Sequence, residues 1–82
     1  MDHIEELEKQ FSDNRDSLAR LDVDIESQEM RLLRENRGSL KWFQNLAVLN
    51  SLQQKRKLVC ARLATLRIMI NQIENPNKVH EA

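Results

Sequence analysis

Very little in this sequence breaks a helix. Gly38 is the one glycine and Pro76 the one proline among 82 residues. So low a breaker count fits long helices or coiled coils. With one glycine and no tyrosine, the chain offers no glycine-rich phosphate loop. Cys60 is the one cysteine, which excludes an internal disulfide framework and favours a reducing compartment. No unbroken apolar run is longer than Leu46 to Leu49, far short of a membrane span. The start, Met1-Asp2-His3-Ile4-Glu5-Glu6, is acidic and polar, unlike a secretory signal, so a cytoplasmic protein is expected. Net charge is also missing. Thirteen basic and thirteen acidic side chains cancel, which argues against a dedicated nucleic-acid binder.

What is present is pattern. Hydrophobic residues make up 40% of the chain, enough to exclude disorder, and charged residues 32%. Ile4, Phe11, Leu18, Ile25 and Leu32 are each seven apart, with Leu7 and Leu21 three residues after the first and third. Placed at a and d, they run five heptads without a skip. The remaining d positions are Asn14, Gln28 and Glu35. Polar seam residues cost stability but fix register, and Asn14, ahead of Gln28, is the candidate for that role. Ala19, Val23, Met30 and Leu33 form a second stripe at b and f, roughly opposite the seam. Two opposed apolar faces point to two neighbours, although scattered surface apolar residues need no partner. Ser12-Asp13 and Asp16-Ser17 are alternative helix starts, and an N-terminal kink there competes with one continuous helix.

Gly38 suits the left-handed C′ position of the first helix, and Ser39 suits the cap of the next. Arg31, Arg34 and Arg37 complement the dipole at the end of the first arm. A continuous rod through Gly38 is the competing arrangement. In the second arm, Trp42, Leu49, Arg56, Leu63 and Ile70 read as a, with Asn45, Leu52, Val59, Leu66 and Ile73 as d. Phe43, Leu46, Val48, Cys60, Ala64, Ile68 and Met69 fall outside that frame. A helix apolar over so much of its circumference calls for burial from more than one direction. Asn75-Pro76 stops it.

The fold expected is therefore all-α: an antiparallel two-helix hairpin, coiled-coil-like, that completes a bundle by dimerisation or partner docking. The hairpin is expected over 1–75, with helix 1 about 2–37, the turn about 36–39 and helix 2 about 40–74. Residues 76–82 are expected as a polar tail. The arms differ in charge: residues 1–38 hold eleven acidic and six basic side chains, residues 39–82 two acidic and seven basic. That attraction favours the hairpin, and also swapped or head-to-tail dimers.

No nucleophile–base pair can be assembled, so no catalytic residue, enzyme activity or cofactor is expected. His3 and His80 stand at opposite ends without a neighbouring cysteine, and no metal site is expected. Lys55-Arg56-Lys57 spreads over roughly 200° of a helix, which suits a solvated face or an acidic partner better than DNA readout. Trp42 and Phe43 follow the bend, as packing at the tip or as an anchor for a partner. The expected partner-binding residues are Ala19, Val23, Met30, Leu33, Trp42, Phe43, Leu46, Ile68 and Met69. The partner is a protein or a second copy, in a heterodimer or homodimer.

The start Ile4-Glu5-Glu6-Leu7-Glu8, the bend Glu35-Asn36-Arg37-Gly38-Ser39-Leu40, a long first helix and an apolar second one together resemble a family. They are similar to the small two-helix co-chaperones of bacterial type III secretion, which help hold needle subunits before export. The resemblance covers most of the chain and rests on shape and pattern. It implies a cytoplasmic heterodimer with a second, larger helical-repeat chaperone. A small chaperone or adaptor that shields a partner's hydrophobic helical surface is the leading expectation. A structural homo-oligomer, and a regulator or antirepressor binding a transcription factor or nucleic acid, are the alternatives.

Overall fold

The computed structural model describes residues 3–74. Two helices, α1 (His3–Arg34) and α2 (Leu40–Glu74), lie antiparallel as an all-α hairpin, with no strand among the described residues. The molecule measures 56 × 28 × 14 Å. The alternatives of a separate helix start within the first arm and of a continuous rod are both excluded. α1 runs unbroken through Ser12, Asp13, Asp16 and Ser17, and the chain reverses before Leu40. The expected stop at Asn75-Pro76, the tail 76–82 and His80 lie outside the described residues.

The heptad seam of α1 is its inward face. Ile4, Leu7, Phe11, Asn14, Leu18, Leu21, Ile25 and Leu32 are all half-buried, and Gln28 is buried. Glu5 and Glu6 in the first turn and Arg31 and Arg34 in the last complement the helix dipole. α2 has neither advantage, with no acidic residue in its first turn and no basic one in its last. Its helicity depends more on packing. Leu49 and Leu66, 7% and 8% exposed, are the buried apolar side chains of the described residues.

The second-arm frame needs one correction. Leu46 and Cys60 turn inward and are half-buried, while the frame's Arg56 and Ile73 are exposed. The inward stripe of α2 thus includes e positions, as a helix packed on a broad face requires. The apolar surplus on its outside is smaller by those two side chains.

The turn also differs from expectation. α1 ends at Arg34, where the Glu35 backbone N–H donates to the Leu32 carbonyl at 3.2 Å, a tightened last turn. Gly38 is therefore not the C′ residue of α1. It is the third residue of a β-turn closed by the Ser39 N–H donating to the Asn36 carbonyl at 3.0 Å. Its φ of 87° is what that position of a type II turn demands. Ser39 does cap α2: its Oγ accepts from the Trp42 N–H at 3.1 Å, and its carbonyl accepts the Phe43 N–H at 3.1 Å.

Register is set by Gln28 rather than Asn14. The Gln28 side chain is 6% exposed, and its Nε2 donates to both the backbone carbonyl and Oδ1 of Asn45, at 3.1 and 3.0 Å. Two polar d positions thus meet across the hairpin. Asn14 instead donates its Nδ2 to the Gln10 carbonyl of its own helix at 2.7 Å, which carries no information about the partner helix. Gln28→Ala is expected to cost about 1–2 kcal/mol, because the Asn45 acceptors stay partly buried and lose their donor. A urea titration checks this. A variant as stable as the wild type would remove the amide pair as a register element.

Candidate partner-binding surface

Seven of the nine expected contact residues lie open. Ala19, Val23, Met30 and Leu33 of α1 point away from the seam, with Val23 66% and Leu33 82% exposed. Phe43, Ile68 and Met69 of α2 are also exposed. Trp42 and Leu46 are half-buried and face inward.

The elements sort these residues into places. Met30 and Leu33 stand in the last two turns of α1, and Phe43 in the first turn of α2, so all three gather at the closed end of the hairpin. Ile68 and Met69 lie at the far end of α2. Val23 and Met30 line a shallow furrow on the outside of α1 with Glu26, Ser27 and Arg34. Phe43 meets Trp42 edge to face, with ring centres 5.0 Å apart at 82°. The half-buried indole thereby fixes an exposed phenyl ring, a geometry that adds about 0.5–1.5 kcal/mol to such a pair. Leu40, 74% exposed, adds a large apolar side chain to the tip that lies outside the expected set. It follows the capping Ser39 directly, and first-turn apolar residues outside a heptad frame are the signal that finds it.

A second concavity, an open groove of about 340 Å³, crosses both helices. Gln10 and Asn14 face Leu58, Arg62 and Thr65 there. Two of its polar side chains are engaged locally. Asn14 is bonded to Gln10, and the Thr65 hydroxyl donates to the Ala61 carbonyl at 3.0 Å. It holds no pairing of nucleophile and base. Among the described residues, no three His, Cys, Asp or Glu side chains come together as a metal site. No helix there is long and apolar enough to cross a membrane.

The basic cluster is divided by its contacts. The Arg56 Nε donates to Asp22 Oδ1 across the hairpin at 2.6 Å. That hydrogen bond, then the Asp22 charge and a smaller effect of Cys60, raise the Arg56 pKa above its ordinary value. Lys55 and Lys57 point to either side of it, exposed. The pair sits in solvent, so it guides register more than it holds the helices together. Cys60 is a free, half-buried thiol.

The fold is that of a small helical hairpin with no catalytic arrangement among the described residues, and with apolar side chains placed to mediate protein contacts. No protein-family model, no curated protein and no solved structure matches the chain.

Proposed function

We propose that the chain works by binding another protein, as a small chaperone or adaptor that covers a hydrophobic helical surface of its partner. The observation that carries this is the apolar stripe on the outside of α1. Val23, Met30 and Leu33 are more than half exposed on a helix whose opposite face is already used by α2. Phe43 extends the stripe around the closed end, held in place by Trp42. An amphipathic partner helix placed on this surface anchors at three- and four-residue spacings, the usual mode of helix-on-helix recognition.

The two-helix plan agrees with the resemblance to the co-chaperones of type III secretion needle subunits. On that reading the partner is a larger helical-repeat chaperone, and the place of action is the cytoplasm. Direct nucleic-acid binding has less support. Arg56 is engaged by Asp22, and Lys55 and Lys57 diverge.

The test compares two baits in native lysate with mass read-out: the wild type and a V23D/M30D/L33D variant. The side chains changed are exposed, so the variant is expected to keep its helical circular dichroism. A helical partner retained by the wild type and reduced about ten-fold or more on the variant supports the reading. A partner retained equally by both places binding elsewhere. Binding of DNA at low salt that is lost on changing Lys55 and Lys57 to Ala would replace it with the regulator alternative.

A further inference from the structure

A different face of the molecule carries a second inference. In the frame in which Leu49 is a, the b, c and f positions of α2 from Leu40 to Gln72 number fifteen, all exposed. Lys57 is the one charged residue among them. The same positions on α1, from Glu5 to Arg34, number fourteen and hold eight charges. The outward face of α1 is thus largely a solvated surface with one apolar stripe. The outward face of α2 has the composition of an interface, depleted of charge over the whole helix.

The f row shows what fits there. It reads Leu40, Ala47, Gln54, Ala61, Ile68: large, small, amide, small, large. Read backwards about Gln54, it gives the same order. A second α2 laid antiparallel across a two-fold axis at Gln54 meets a matching row at every step. Leu40 falls on the partner subunit's Ile68, and Ala47 on the partner subunit's Ala61. The alanines let the axes approach toward the short end of the range of about 8–10 Å. Gln54 meets the partner subunit's Gln54, and two amides satisfy each other because each carries donor and acceptor. Such self-complementarity is what a closed two-fold interface requires. The size also suits a dimer. Fifteen residues with the flanking Val48 and Met69 approach the roughly 20–30 a side of a standard interface.

We propose that the chain forms a homodimer through this face, in the spatial order α1, α2, α2, α1. Both copies of α2 are then buried on two sides and both charged faces of α1 remain in water. The dimer shares Phe43 with the adaptor surface but leaves Val23, Met30 and Leu33 of α1 free, and those three carry the adaptor reading and its test, so the two stand or fall separately. The rival self-contact, α1 of one copy on α2 of the next, is favoured by opposite charge. It buries the eight charges of α1 and pairs unlike faces, so a contact of two copies leaves one face of each open and further copies add as a ring or a chain.

Salt separates the two arrangements. No acidic residue occurs between Glu35 and Glu74, and Lys57 lies one turn from the proposed axis. Two α2 helices therefore repel at long range, and screening tightens their dimer, whereas it loosens α1 on α2. Sedimentation equilibrium of the full chain is expected to give a monomer–dimer equilibrium whose Kd falls several-fold from low to high sodium chloride. Ala61→Arg is expected to shift it to monomer. In a Cys60→Ser background, Gln54→Cys is expected to oxidise to a covalent dimer, and Ser27→Cys on the outer face of α1 is not. A chain monomeric at every concentration overturns the proposal. So does a dimer loosened by salt, or cross-linking at Ser27 equal to that at Gln54. If Ala61→Arg fails to fold, the Gln54 and Ser27 cross-links decide alone.

Discussion

Leu66→Ala is expected to leave the chain largely unfolded at physiological temperature. Leu66 and Leu49 are the two buried apolar side chains among the described residues, at 8% and 7% exposure. Truncating a buried leucine costs about 2–5 kcal/mol, the transfer term plus the cavity left behind. A domain of this size draws about 3–5 kcal/mol from a single core. The loss therefore approaches the whole. Elsewhere the seam offers half-buried residues that gain little by moving into the space, because water already reaches them. Leu33→Ala is the internal control. Leu33 is 82% exposed, so its truncation removes no core contact and is expected to change stability by less than about 0.5 kcal/mol. Far-ultraviolet circular dichroism against temperature, run on both variants at matched concentration, gives the comparison. Equal melting of the two would mean that the burial of Leu66 contributes nothing.

Gly38→Val is the second large effect, and its cause is purely conformational. A β-carbon built on Gly38 meets nothing within 4 Å, so there is no clash with the rest of the protein. The difficulty is the φ of 87°, which puts a side chain against its own backbone. For a residue other than glycine, this left-handed region costs about 1–2 kcal/mol, with β-branched residues at the upper end. Gly38→Ala is expected near 1 kcal/mol, and Gly38→Asn below it, since asparagine tolerates this region best. The order Asn, Ala, Val in urea midpoints is the signature of a positive φ. A steric account predicts a dependence on size that the open surroundings of Gly38 do not supply. A valine variant with the wild-type midpoint would rule out the type II turn.

How far the sequence reveals this molecule depends on what each feature requires. The seam of α1 is legible because a heptad repeat in a helix names its own inward face, and each of its a and d positions does turn inward. The hairpin is legible because Gly38 is a unique break between two unbroken stretches. The role of Gly38 within the turn is not, since it depends on where α1 stops, and Arg31, Arg34 and Arg37 suit several stopping points. Gln28 and Asn14 look alike in sequence. They differ because the antiparallel alignment brings Asn45 opposite one and leaves the other to its own helix. Leu46 and Cys60 turn inward because α2 packs on a broad face that takes in e as well as a and d positions, which a strict two-position frame does not show. The proposed binding surface is visible in the sequence as a surplus of apolar residues. Its division into a stripe on α1, an aromatic tip and a back on α2 with Lys57 as its one charge needs the helices placed side by side.

The amide clasp has a mechanical consequence. Gln28 and Asn45 lie ten residues before and seven after Gly38, so the clasp ties the arms close to the bend. Beyond it, toward Phe11 and Ile70, the arms are joined by the buried Leu49 and Leu66, by half-buried apolar contacts and by the solvent-exposed Asp22–Arg56 bridge. The clasp thus fixes which residues face each other across the hairpin, while burial along the arms supplies the strength that holds them together.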